Sequence, residues 1–96
     1  MGNGDGPVMD QKEMVLYTRH RSWHCWRAIR FLRRLGYAFD VVDTTNDAEL
    51  CASLERASGH NAAPYLFVDR RPVGGFNDIK SLDRSGNFDR LVRGNV

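Results

Sequence analysis

The stretch Met14-Val15-Leu16-Tyr17-Thr18-Arg19-His20-Arg21-Ser22-Trp23-His24-Cys25 decides how the chain is read. Its first five residues form a short apolar run of strand-forming types, which predicts a buried strand over 14–18. Arg19-His20-Arg21 follows as a polar loop. Ser22 is placed to cap a helix running to about Leu35, with Gly36 as its stop. On that helix Cys25, Ala28, Ile29, Leu32 and Leu35 fall on one stripe, while Arg27, Arg30, Arg33 and Arg34 occupy the opposite face.

Working outward, Phe39-Asp40-Val41-Val42-Asp43 reads as a second strand. Asn46, with Glu49 three residues on, has the pattern of a capping box for a helix ending near Ser58 and stopped by Gly59. Leu50, Leu54 and Ala57 are its expected buried side, with Cys51 on the shoulder. Tyr65-Leu66-Phe67-Val68 is a third strand entered through Pro64. Asp69-Arg70-Arg71 is a polar turn, and Pro72-Val73-Gly74 a fourth strand suited to a sheet edge. Asn77 or Asp78 opens a helix through about Asp83, and Phe88 to Val92 forms a last short one. The order β-α-β-α-β-β-α-α predicts parallel pairing early, a hairpin late and helices on both faces. That is an α/β fold of thioredoxin-like type, a four-stranded mixed sheet flanked by helices.

Ninety-six residues allow a single core. The 42% hydrophobic and 27% charged content is ordinary globular composition and excludes a disordered or fibrous chain. Two cysteines are too few for a disulfide framework. No apolar run approaches the ~18 residues that cross a bilayer, so no membrane partner is expected. Residues 1–13, MGNGDGPVMDQKE, lack the basic and apolar regions of a signal peptide; they read as a loose tail before a domain over 14–96, in a cytoplasmic monomer. The net charge of +2 is too small to imply nucleic acid. The arginine face of the first helix, with Arg19 and Arg21 at its mouth, suits an acidic protein better, since Trp26 is the one aromatic interleaved with it. His20, His24 and Cys25 are metal-ligand types close in sequence, but Cys25 belongs to the core stripe and His20 to the loop, so no metal is expected.

From Val15 to about Gly94 the chain resembles a glutaredoxin. Tyr17-Thr18-Arg19 before a four-residue motif at a helix start is similar to the family's redox loop. Ala62-Ala63-Pro64 resembles its Thr-Val-Pro segment, where the proline is cis, and Gly74-Gly75-Phe76-Asn77-Asp78 resembles its Gly-Gly-x-x-Asp signature. The three pieces stand in the right order, each at an element boundary. The resemblance implies glutathione-dependent thiol–disulfide oxidoreduction on disulfide or glutathionylated protein substrates, with glutathione as co-substrate or ligand. It further implies that Arg19, in place of the usual loop lysine, pairs the glycyl carboxylate. Ala63, before cis Pro64, would offer its N–H and C=O to the cysteinyl backbone as an added strand does. Gly75, Phe76, Asn77 and Asp78 would direct helix-start N–H groups at the γ-glutamyl carboxylate, with Asp78 pairing the α-amino group. Trp23 and His24 would wall the cleft. Ala62 departs from the family threonine, an expected loss of about 0.5–1.5 kcal/mol of binding.

The larger departure is in the family's Cys-x-x-Cys motif, which here reads Ser22-Trp23-His24-Cys25. Exchange needs a thiolate nucleophile and a sulfur on which the mixed disulfide can form. A serine hydroxyl offers neither. Ser22 stands at the position of the attacking cysteine and Cys25 at the resolving position, where the core stripe makes it a buried, inert thiol. Cys51 reads as structural. Two origins of Ser22 stand open, an introduced Cys→Ser change or a native branch that kept the cradle and lost exchange. A third role, a hydrogen bond to a bound glutathione thiolate as in some glutathione transferases, belongs to proteins with a helical second domain. Iron–sulfur assembly, which in some glutaredoxins uses the attacking cysteine, is disfavoured. The expectation is a chain that binds glutathione and reduces disulfides poorly or not at all.

Overall fold

Alternation along two strands sets the layers. In the computed structural model, which describes residues 11–20, 22–60 and 62–94, β1 (Met14–Thr18) buries Met14, Leu16 and Thr18 on one face, and β3 (Tyr65–Val68) buries Leu66 and Val68 on the same side. Helices α1 (Trp23–Leu35), α3 (Phe76–Arg84) and α4 (Asn87–Arg93) close over that face. Their Ala28, Leu32, Ile79, Phe88 and Val92 complete the core. On the other face Tyr17 packs edge-on against Phe67, ring centroids 5.4 Å apart. The remaining elements are β2 (Asp40–Asp43), α2 (Ala48–Ser58), which buries Leu54, and β4 (Arg71–Gly74).

The sheet runs β2-β1-β3-β4, with β1 parallel to β2 and antiparallel to β3, and β3 antiparallel to β4. The parallel pair and late hairpin are as expected. The hairpin turns through Asp69 and Arg70, both at positive φ (53° and 67°), the geometry that matches the right-handed twist of paired strands. Among the described residues no helix is long and apolar enough to cross a membrane.

Several boundaries differ from the sequence reading. The cap of α2 is Asp47, whose carboxylate accepts the Leu50 N–H at 3.0 Å, while Asn46 is taken up in the turn closed by Asp47 N–H to the Thr44 carbonyl. Ala57 is exposed, so α2 buries Leu54 with Leu50 only half-buried. Helix α3 starts at Phe76, one residue before Asn77 and two before Asp78, because the Gly75 carbonyl already accepts from Ile79 N–H. Strand β2 begins at Asp40 rather than Phe39. Residues 11–13 are tied to the domain. Lys12 N–H donates to the Val92 carbonyl at 2.7 Å, and the Glu13 carbonyl accepts from Asp69 N–H at 2.8 Å. Hydrogen bonds to the domain therefore begin before residue 14; residues 1–10, the rest of the stretch expected as a tail, and Arg21 of the first loop lie outside the described residues.

Tyr37 links α4 to the loop after α1. Its ring meets Phe88 edge-on at 5.3 Å and its hydroxyl donates to Asp89 at 2.7 Å. Burial, then the hydrogen bond to the Asp89 carboxylate, pushes the phenol up to about 12, while the bonds from Tyr37 and Arg93 hold Asp89 below the usual carboxylate range. A phenol that keeps its proton in the fold but loses it near pH ~10 when unfolded contributes stability that is intact below that pH and is lost as pH climbs to about 12. Tyr65, also raised by burial, acts in the same direction. Thermal melts at about pH 9 and about pH 11 should therefore show a smaller alkaline loss for Tyr37→Phe than for the parent. An undiminished loss would assign the alkaline weakening elsewhere.

Candidate active site

Ser22 caps α1. Its backbone is extended (φ −88°, ψ 118°) and its Oγ accepts the Cys25 N–H at 3.4 Å. The helix carries no acidic residue in its first turn, so the positive end of its dipole is uncompensated at the serine oxygen. Behind it Cys25 is 2% exposed, and its Sγ accepts the Arg19 N–H at 3.4 Å. The thiol is enclosed one turn behind the hydroxyl, with backbone around it rather than solvent.

His24, in the turn that Ser22 caps, opens onto a cleft of about 550 Å³. Its floor and far wall are Ala62, Ala63, Pro64 and the start of α3 from Gly75 to Asp78, and the Ala63–Pro64 bond is cis. Gly75 caps α3 without a side chain, which leaves no side-chain acceptor on the N–H groups of the first turn. Asp78 reaches back instead, its carboxylate accepting the Gly75 N–H at 2.9 Å and standing 3.4 Å from His60 Nε2. Gly74, at φ +132°, lies so close to Asp78 that a Cβ there would overlap the carboxylate. Arg27 and Lys80 line the same cleft. Free N–H groups, two helix starts and two cations make a receptor for an anionic, extended ligand.

The sequence profile of the Glutaredoxin family matches residues 14–73. The chain belongs to the glutaredoxin family. It is 33% identical over 79 residues to a glutaredoxin of Pseudomonas aeruginosa, covering 82% of this chain and 94% of that protein. It is 35% identical over 82 residues to a probable glutaredoxin of Synechocystis, covering 83% and 92%. Among solved structures, the glutaredoxin of Brucella melitensis superposes with a TM-score of 0.79 at 32% identity over 91% of this chain and 96% of that one. A buckwheat glutaredoxin–glutathione complex shares the fold, with a TM-score of 0.77 at 17% identity over 84% and 76%.

On this glutaredoxin frame the residues singled out in the sequence divide into groups. His24, Ala63, Pro64, Gly75, Phe76, Asn77 and Asp78 line one cleft. Trp23 lines a neighbouring hollow with Trp26, and Arg19 lines another beside Thr45 and Glu55. Three cleft residues escaped the sequence reading: His60, Arg27 and Lys80. Arg27 was placed on an arginine face suited to an acidic protein, and the packing of α3 beside α1 sets it over Phe76 at the edge of the cleft. For His60, the signal was its position just ahead of Ala62-Ala63-Pro64. Among the described residues no three His, Cys, Asp or Glu side chains gather as a metal site.

Proposed function

We propose that this glutaredoxin binds glutathione in the cleft between α1, Ala62–Pro64 and the start of α3, and that Ser22 leaves it unable to carry out thiol–disulfide exchange. The observation that carries this reading is the Ser22 hydroxyl at the N-cap of α1, two residues ahead of His24, which lines a cleft with Arg27, Lys80 and the open N–H groups at the start of α3. In this reading the N–H groups of Phe76, Asn77 and Asp78 receive the γ-glutamyl carboxylate, and Ala63 pairs with the cysteinyl backbone. The glycyl carboxylate falls to Arg27, since Arg27 and not Arg19 lines the cleft. Asp78 takes the α-amino group, in competition with His60. The glutathione sulfur then faces an alcohol, which holds its proton at cellular pH and has no sulfur to join.

Reduced glutathione added in millimolar steps to labelled protein should shift the amides of Ala63, Gly75, Phe76, Asn77 and Asp78 saturably in a heteronuclear NMR titration. Incubation with oxidised glutathione should leave position 22 without an adduct by mass spectrometry. Absence of any saturable shift removes the cradle; an adduct at residue 22 removes the inertness.

A further inference from the structure

The outward face of α1 is more than a row of solvated arginines. Trp23 and Trp26 are 65% and 52% exposed, and their indoles stack with centroids 6.5 Å apart and planes 16° from parallel. Arg30 lies over Trp26 at 4.8 Å from its centroid. From α3, Phe76 comes up beside this stripe and carries Arg27 at 5.1 Å and Lys80 at 5.2 Å. These groups and Arg34 border an open hollow of about 510 Å³ with no carboxylate among its lining residues. The sequence showed one aromatic among the arginines; the packing of α3 against α1 and the outward turn of Trp23 make three.

We infer that this surface binds single-stranded nucleic acid, by stacking of bases on the exposed indoles and pairing of phosphates with Arg27, Arg30, Arg34 and Lys80. Rings and cations alternate across the surface, and a single strand alternates π-faces and phosphates in the same manner. An acidic polypeptide matches the charge but brings few flat faces to cover two exposed indoles. Residues 23, 26, 27, 30 and 34 follow one helical stripe, and from 23 to 34 the axis rises about 16 Å, room for roughly four nucleotides at about 3.4 Å each. The hollow is shallow and open, which suits stacking better than the capture of one buried anchor. This inference does not depend on the glutathione reading, and its test is made without glutathione.

The two tryptophans of the chain both lie on this surface, so intrinsic fluorescence reports binding directly. Titration of the full chain with a short oligothymidylate at low salt should quench that emission. Affinity should fall with salt at a log–log slope of about −3 if four phosphates are neutralised. Trp23→Ala should weaken binding of a labelled oligonucleotide about tenfold, and Arg27→Glu with Arg30→Glu should weaken it further and flatten the salt slope. No quenching at low salt overturns the inference. A polyglutamate peptide of equal charge that binds as tightly overturns it in favour of an acidic protein partner. A duplex that binds as tightly, with Trp23→Ala unaffected, overturns the stacking.

Discussion

Ser22→Cys should raise glutathione-dependent disulfide reduction by at least about a hundredfold in kcat/KM, about 2.7 kcal/mol of transition-state stabilisation. The introduced sulfur would occupy an N-cap that already receives the Cys25 N–H, on a helix whose first turn contains no acid. Both features favour a thiolate over a thiol and hold its pKa well under the ordinary ~8.5. That thiolate attacks the glutathione sulfur of a protein–glutathione mixed disulfide. The bond to the protein sulfur breaks, and the protein thiolate departs and takes up a proton. A second glutathione thiolate then attacks the glutathione sulfur of the enzyme-bound mixed disulfide, releasing oxidised glutathione and restoring the enzyme thiolate. Cys25 is not required for this cycle, so adding Cys25→Ser should leave deglutathionylation largely intact. Ser22→Ala should match the parent. Equal activity in Ser22→Cys and parent would defeat the claim that the atom at position 22 is decisive. Residual parent activity that vanishes with Cys25→Ser would identify the enclosed thiol as the nucleophile.

How far the molecule could be read from its sequence follows the range of the forces involved. β1, α1 and the hairpin were legible because an apolar run, a helical stripe, and capping and turn residues act within a few residues of one another. The start of α2 was misjudged by one position because Asp47, not Asn46, accepts the Leu50 N–H, and that of α3 by one or two because its cap, Gly75, has no side chain to signal it and Asp78 accepts the Gly75 N–H from inside the helix. Gly74-Gly75 was legible as a motif but not as a division of labour. The approach of Asp78 to Gly74 is a property of the α3 start packed against β4. His60 at Asp78, and Phe76 beneath Arg27, are meetings of residues that only the tertiary fold brings together, whereas Lys80 reaches Phe76 as its i,i+4 neighbour on α3. Charge on α1 was visible as composition; its distribution between the cleft and the tryptophan surface was not.

The two adjacent glycines should respond very differently to alanine. Gly74 has φ +132°, a region L side chains rarely enter, and an added Cβ would overlap the Asp78 carboxylate and come within 2.9 Å of the Asp78 Cβ. Rotating the carboxylate away does not relieve the second contact, so the start of α3 itself must move. Backbone strain of about 1–3 kcal/mol and the loss of the Gly75 N–H to Asp78 bond at about 1 kcal/mol give an expected destabilisation of about 2–4 kcal/mol for Gly74→Ala. The displaced α3 start should also lower glutathione affinity at least about tenfold, about 1.4 kcal/mol. Gly75 is at φ −97° and ψ −166°, ordinary extended backbone, and its added Cβ would meet the Pro64 carbonyl at 3.5 Å, a normal contact. Gly75→Ala should therefore change stability by less than about 1 kcal/mol, since reduced freedom of the unfolded chain offsets a poorer cap. Urea unfolding of both variants separates the cases. The double variant Gly74→Ala with Asp78→Gly removes the overlap but not the positive φ, and should recover only part of the loss. Equal stabilities for Gly74→Ala and Gly75→Ala would mean that the close approach of Asp78 to Gly74 does not set the shape of the cleft.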